Sequence, residues 1–94
     1  MEKMPQEYIV MVKTGLTKAG GIYKAIMEWK EKPMEGVRLI EAFQMFGRWD
    51  FGILFQADTN ENALHFVGDI LRKVEGVVRT NTIAISPIRN YRMR

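Results

Sequence analysis

The sequence predicts an α+β domain in which one sheet carries two helices on the same face. Four runs show the period-2 alternation or continuous apolarity of strands, and two runs show the three-and-four spacing of buried helices. Their order is strand, helix, strand, strand, helix, strand, which is the ferredoxin-like βαββαβ pattern with a four-stranded antiparallel sheet. The length of 94 residues, of which 47% are hydrophobic, fits one domain. We expect that domain to span 1–94, with its core over about 7–88 and a basic tail at 89–94.

The four strands are expected at Glu7–Lys13, Val37–Phe46, Phe51–Asp58 and Val77–Ile85. The first is apolar at both parities, which predicts a central strand. The third has one strongly apolar parity, which should face the helices, and its members are Phe51, Ile53, Phe55 and Ala57. The turn signal Gly47–Asp50 joins the second and third strands, so these two should form an antiparallel hairpin.

The first helix is expected from Lys18 to about Lys32, with Thr17 as a capping residue and Pro33 just beyond its end. Gly20 and Gly21 indicate either a late helix start or close packing on the sheet. The predicted buried stripe consists of Ala19, Ile22, Tyr23, Ile26 and Trp29.

The second helix is expected from about Glu61 to Glu75, with Gly76 at its end. Three alternative caps precede it: Asp58, Thr59 and Asn60. Its predicted buried stripe consists of Ala63, Phe66, Val67, Ile70 and Val74, with Leu64 and Leu71 on the flank.

The sheet face without helices is predicted to be small and mixed in polarity. Its expected members are Gly52, Leu54, Gln56, Thr80, Thr82 and Ala84. Such a face suits a second sheet as its cover, and a second copy of the same chain supplies one by two-fold symmetry. The sequence therefore predicts a homodimer built as a dimeric α+β barrel, with higher oligomers left open.

The composition of the chain excludes several classes of function. The chain has no cysteine, which excludes thiolate metal sites and a cysteine nucleophile. The net charge of +3 falls to zero without the tail residues Arg89, Arg92 and Arg94, and no basic stripe remains, so we expect no direct sequence-specific DNA binding. No apolar run approaches the roughly 20 residues of a membrane span, and no signal peptide is evident, which predicts a cytoplasmic protein without membrane association.

Few side chains suggest chemistry, and we predict no catalytic residue, metal site or cofactor. His65 is the single histidine, and helical spacing places it on the polar side of the second helix, four residues before Asp69. Asp50 follows a glycine turn and allows two interpretations: a carboxylate that accepts hydrogen bonds from nearby backbone N–H groups, or a polar group lining a small-molecule site. Trp29 is expected to pack, whereas Trp49 in the turn could belong to an interface.

Two segments together resemble a known family. Gly47-Arg48-Trp49-Asp50 followed by Gln56-Ala57-Asp58 is similar to a "G-x-[YW]-D … E/Q-A-x-D" hairpin, and the run 74–82 (VEGVVRTNT) is similar to an "ipGV-x-x-T-x-T" passage. Both occur in the ligand-binding (effector) domain of Lrp/AsnC regulators, and the match covers about forty residues over Gly47–Ile85. The similar GYD family adds an early Thr and Gly, which Thr17 and Gly20 or Gly21 match.

The resemblance implies a stand-alone effector-binding and oligomerisation domain, related to regulators but without their helix-turn-helix half. It implies a small-molecule ligand near the Gly-x-x-Asp turn, and residue by residue it points to Gly47, Asp50, Thr80 and Thr82 as ligand-binding positions. The alternative is an enzyme, since dimeric α+β barrels also include cofactor-independent monooxygenases, isomerases and haem-degrading proteins. A haem enzyme of this kind needs a histidine directed into the barrel.

Overall fold

A computed structural model describes residues 5–16, 18–30 and 34–92. Four strands and two helices occur in the predicted order. The strands are β1 (Gln6–Thr14), β2 (Val37–Gln44), β3 (Phe51–Ala57) and β4 (Val77–Ile85), and the helices are α1 (Ala19–Trp29) and α2 (Asn60–His65). α2 continues without a break into a π-helical segment, Phe66–Leu71. The fold is therefore the ferredoxin-like α+β arrangement that the pattern predicts.

One antiparallel sheet contains all four strands in the order β2-β3-β1-β4. β1 is a central strand, as its apolarity at both parities predicts, and it pairs with β3 on one side and β4 on the other. β2 and β3 form the predicted hairpin, although β2 ends at Gln44 rather than Phe46.

The hydrophobic core lies between one face of the sheet and both helices. Alternate residues of β1 and β3 are buried there, and the helices contribute Ile22 from α1 and Ala63, Phe66, Val67 and Leu71 from α2 and the π-helical segment. Three aromatic contacts tie the layers together. Phe55 stacks on Tyr8 with 5.2 Å between the ring centroids, and Phe66 makes edge contacts with Phe55 at 5.0 Å and with Trp29 at 5.4 Å. The predicted packing role of Trp29 is confirmed.

A β-bulge interrupts the pairing of β2 with β3. Leu39 pairs with Phe55, but the next pair joins Glu41 to Leu54, so Ile40 is the extra residue. The bulge exchanges the two faces of β2. Leu39, before the bulge, lies on the helix side, whereas Phe43, four residues later, pairs with Gly52 on the helix-free side. The side chains of β2 therefore do not follow a single alternation between the two faces from Val37 to Gln44.

The buried stripe of α1 contains fewer residues than predicted. Ile22 is fully buried and Ile26 and Trp29 pack against the core, but Tyr23 is 57% exposed and Ala19 is also exposed. Tyr23 lies about 100° around the helix from Ile22, outside this stripe. α1 ends at Trp29, and the predicted cap Thr17 and stop Lys32-Pro33 lie outside the described residues.

Gly20 and Gly21 both lie inside α1, so a late helix start is excluded. A Cβ at Gly21 would come within 2.5 Å of the backbone oxygen of Glu75, whereas a Cβ at Gly20 would meet nothing within 4 Å. Gly21 therefore permits close packing, but against the loop before β4 and not against the sheet. Gly76 in that loop has φ +96°, which favours glycine.

The second helix begins at the expected place and ends early. Of the three candidate caps, Thr59 is the one used, because its hydroxyl accepts a hydrogen bond from the Asn62 N–H at 3.0 Å. The helix ends at Leu71 instead of about Glu75. Its last turn is π-helical, with the Arg72 N–H donating to the carbonyl of Val67 at 3.0 Å. This wider turn rotates Leu71, expected on the flank, into a fully buried position.

Residues 86–92 follow β4 without regular structure and are exposed, with Arg92 lying 3.4 Å from Glu41. Arg94, the last basic residue of the predicted tail, lies outside the described residues. Within the part of the chain that the structure describes, no helix is long and apolar enough to cross a membrane.

Candidate functional site

The β2–β3 turn is the first candidate site, and backbone hydrogen bonds hold it at both ends. The Met45 N–H donates to the Asp50 carbonyl, and the Asp50 N–H donates to the carbonyl of Val12 in β1, both at 2.9 Å. Gly47 has φ +114°, a conformation that residues with a side chain rarely adopt. The turn therefore requires glycine at position 47 for its backbone path.

The Asp50 carboxylate is held by the end of β1. Its Oδ2 accepts hydrogen bonds from the backbone N–H of Thr14 at 2.8 Å and from the Thr14 hydroxyl at 2.9 Å, and Lys13 Nζ lies 3.7 Å away. The backbone hydrogen bond from Thr14, then its hydroxyl, and then the charge of Lys13 lower the pKa of Asp50 below its usual 3.8. The first interpretation of Asp50, a carboxylate that accepts from backbone N–H groups, is thus observed.

A cavity of about 560 Å³ lies beside this carboxylate, between the β2–β3 turn and the connection from β1 to α1. Its lining residues include Lys13, Asp50 and Gln44, together with Met45 and other apolar groups. Leu16 and Phe46 also line it, although these residues are 92% and 95% exposed. A cationic and an anionic group beside apolar walls match the charges and side chain of a small zwitterion.

Thr80 and Thr82 lie on the opposite face of the sheet from the one predicted. Thr80 pairs with Val12 and Thr82 pairs with Val10, and both valines are fully buried beneath the helices. Directly paired residues share a face, so the two threonines lie on the helix-covered face. Ala84, paired with buried Tyr8, does the same. The expected placement of all three on the helix-free face is wrong.

The four predicted ligand-binding residues do not form one cluster. Gly47 and Asp50 share the β2–β3 turn, whereas β1 separates Thr80 from β3. Two strand spacings place Thr80 about 10 Å from the strand that comes after the turn. Thr82 lies one pair further along β4 and lines a different cleft.

This second cleft, of about 400 Å³, lies between β4 and the second helix. Its lining residues are Tyr8, Asn60, Ala63, Leu64, Val67, Gly68, Arg72 and Thr82. The sequence pointed only to Thr82. From the sequence, Tyr8 is expected in the core and Arg72 on the surface. The π-helical segment brings them to one cleft, and the spacing of apolar residues does not indicate that segment.

His65 lies where the helical spacing places it. Its side chain is 64% exposed, and Nδ1 is 2.8 Å from Asp69 Oδ2. The prediction of an outward histidine paired with Asp69 is confirmed. Among residues 5–16, 18–30 and 34–92, no three His, Cys, Asp or Glu side chains are placed to hold a metal ion.

The helix-free face contains Gly52, Leu54 and Gln56, as predicted, but β4 contributes the other parity. The members of the helix-free face are Glu7, Ile9, Met11, Lys13, Arg38, Glu41, Phe43, Gly52, Leu54, Gln56, Arg79, Asn81, Ile83 and Ile85. Ile83 is 44% exposed. Phe43 lies over Gly52, where a Cβ would collide with its ring. The middle of this face is therefore more apolar than expected, and a cross-strand pair of cations, Lys13 and Arg79, lies at one end.

Comparison with solved structures identifies proteins that share this fold. The chain superimposes on the crystal structure of MtbAldR with a TM-score of 0.72 and 15% sequence identity. The match covers 93% of this chain and 57% of MtbAldR. The chain superimposes on the transcriptional regulator NMB0573 from Neisseria meningitidis, solved as an L-Met complex, with a TM-score of 0.69 and 17% identity over 92% and 53% of the two chains. E. coli AsnC gives a TM-score of 0.64 at 13% identity over 95% and 54%.

These proteins are Lrp/AsnC regulators, and the chain has the fold of their effector domain. It spans just over half the length of each. No family model matches the sequence, and no curated protein matches it. The resemblance inferred from the two motifs is thus confirmed at the level of the fold, and the likeness to GYD proteins stays a prediction.

Proposed function

We propose that this chain is a small-molecule-binding and oligomerisation domain that forms a homodimer through its helix-free sheet face. The observation that carries the proposal is the apolar centre of that face. Ile9, Met11 and Leu54 lie side by side on adjacent strands of the face opposite both helices, and the segment 85–92 approaches the Leu54 end of this face. A contiguous apolar surface of this kind in a sheet is typical of an interface.

Dimerisation is tested by sedimentation of the parent chain and of Leu54→Glu. We expect the parent to be a dimer at micromolar concentration and Leu54→Glu to be a folded monomer, because a carboxylate at the centre of the face would be buried without a partner. Leu64→Glu is the matched control, since Leu64 is 72% exposed on the helix side, and it should stay dimeric. A well-folded monomeric parent would refute the proposal.

The effector is proposed to bind in the cavity beside Asp50, because the resemblance implies a ligand near the Gly-x-x-Asp turn. Lys13 and Asp50 offer opposite charges to an amino acid, and one structural neighbour is described as an L-Met complex. L-methionine is therefore the first probe. We expect it to raise the melting temperature of the parent and to have less effect on Asp50→Asn, which keeps the shape of the side chain and removes its charge.

Calorimetric titration of both forms measures the same difference directly. Norleucine, which retains the amino-acid groups, should bind much as methionine does, and a methionine derivative lacking the ammonium group should bind weakly. Equal binding of L-methionine to the parent and to Asp50→Asn would contradict a site at this turn.

A further inference from the structure

We propose that the cleft between β4 and the second helix binds a small molecule that carries a carboxylate on an apolar body. The inference deepens the proposed small-molecule-binding function, on which it rests, by naming a ligand class and a place separate from the Asp50 turn. It comes from the shape of the cleft, its hydrogen-bond donors and its single cation.

The shape of the cleft depends on the π-helical segment. The wider turn over Phe66–Leu71 brings Val67, Gly68 and Arg72 to the cleft wall. Gly68 has no side chain, and a Cβ at this position would meet nothing within 4 Å, so the wall is open there. Single π-helical turns within α-helices are frequent at functional sites. The volume of about 400 Å³ lies in the usual range for small-molecule sites.

The polar atoms of the cleft are mainly donors. The Tyr8 hydroxyl donates to Asn60 Oδ1, which leaves the N–H groups of that amide to donate elsewhere. The Thr82 hydroxyl and the Arg72 guanidinium supply further donors from the opposite wall and from the helix end. Converging N–H and O–H donors select a ligand with an acceptor group.

Arg72 determines which charge the ligand should carry. It is the one charged residue that lines the cleft, and no ion pair engages it within the described part of the chain. A guanidinium binds a carboxylate with two parallel hydrogen bonds. Because Arg72 is exposed, the carboxylate would sit at the mouth of the cleft.

The rest of the lining is apolar and accommodates the body of the ligand. Ala63 and Val67 are buried in the wall, and the ring of Tyr8 stacks on Phe55 behind it. Leu64, at 72% exposure, stands at the edge of the cleft and can cover a bound alkyl chain. A short aliphatic acid fits this division between a charged mouth and an apolar interior.

The test is a titration of the ¹⁵N-labelled full chain with sodium hexanoate, followed by amide NMR signals. We expect saturable shifts around residues 60–72 and at Thr82, with a dissociation constant of about 0.1–1 mM for a ligand of this size. Arg72→Gln should weaken binding about tenfold or more, and Lys73→Gln, which removes a neighbouring charge outside the cleft, should leave it unchanged. Hexan-1-ol, which lacks the carboxylate, should bind about tenfold more weakly than hexanoate.

A second pair of variants keeps the test independent of Arg72. Thr82→Val removes the hydroxyl and should weaken hexanoate binding, whereas Thr82→Ser retains it and should not. Failure of hexanoate to give saturable shifts by about 10 mM, shifts centred on the Asp50 turn, or equal binding by Arg72→Gln and Lys73→Gln would overturn this inference. Dimerisation and Asp50-dependent methionine binding are measured separately, so their failure is distinguishable from this one.

Discussion

Asp50 links two parts of the fold that are far apart in sequence. The β2–β3 turn presents the carboxylate, and the end of β1 supplies its hydrogen-bond donors, 36 positions earlier. Thr14 is buried, so without Asp50 its backbone N–H and hydroxyl would lose their partner in a region that water reaches poorly. The same side chain therefore stabilises the turn and fixes the edge of the adjoining cavity.

Asp50→Asn should lower the free energy of unfolding at pH 7 by about 1 kcal/mol, since charged acceptors make stronger hydrogen bonds and Asp50 is about a third exposed. Because its pKa is lowered in the folded chain, the contribution is present above the ordinary value of 3.8 and is lost as the pH falls through the folded pKa. Urea unfolding of both forms between pH 7 and pH 2 should show the difference shrinking below about pH 4. A difference that grows on acidification would contradict this account.

His65→Ala should leave stability and assembly nearly unchanged, within about ±0.5 kcal/mol. The imidazole is exposed and its contact with Asp69 is a surface pair, which contributes little. Thermal melts, sedimentation and a haem titration of parent and variant measure the effect. Stoichiometric haem binding by the parent that is lost in His65→Ala would favour the enzyme alternative instead.

Residue positions were predictable where one element alone decides them. The direction of His65 follows from helical geometry, and the inward side of β3 follows from its strong alternation. The faces of Thr80 and Thr82 were not predictable, because both parities of β4 mix apolar with polar residues. In such a strand the register with β1 decides which side is covered, and register is a tertiary property.

At the scale of the elements, the sequence predicts existence and order better than internal irregularities. β4 has the predicted bounds, and Thr59 is one of the three expected caps. The bulge at Ile40 and the π-helical turn after His65 each insert a residue into a regular pattern, which reverses or rotates the side chains beyond the insertion. Apolar residues lie at both parities of β2, so its sequence contains no mark of the insertion.

Gly20→Ala and Gly21→Ala should have opposite effects, although the two glycines are neighbours in α1. Alanine at position 20 meets open space and should stabilise the chain by about 0.5–1 kcal/mol through helix propensity. Alanine at position 21 would collide with the Glu75 carbonyl oxygen and should destabilise the chain by about 1–3 kcal/mol. Chemical denaturation of both variants decides the matter, and equal stabilisation would show that the loop before β4 moves aside at little cost.

At the scale of the whole molecule, both helices cover one face of the sheet, and on the other, here called the open face, the described residues place only the segment 85–92, at the Leu54 end. The open face is apolar at its centre and carries both signs of charge at its margins, including Glu7, Lys13 and Arg79. This distribution suits a folded partner with the same pattern better than it suits the uniform negative charge of a nucleic acid.

The chain should therefore show no sequence-selective retention of duplex DNA at about 150 mM salt, where nonspecific phosphate binding is weak. Its basic residues are distributed among acidic ones, and neither helix presents a basic stripe to a groove. Mobility shifts with a mixed pool of duplexes at about 50 and 150 mM salt test this. Retention of particular sequences that persists at the higher salt would contradict it.

The central position of β1 also has a consequence for biosynthesis. β1 is the first of the four strands to leave the ribosome, but both of its neighbours come later, and the side chain of Gln6 binds the carbonyl of Ile85, 79 positions further on. At about 5–20 residues per second, several seconds pass before β4 is available. Both edges of this apolar strand are unpaired until β3 is made, and one edge stays unpaired until β4 is made. Translation speed over residues 15–85 should therefore govern how much of the newly made chain reaches the native sheet instead of aggregating.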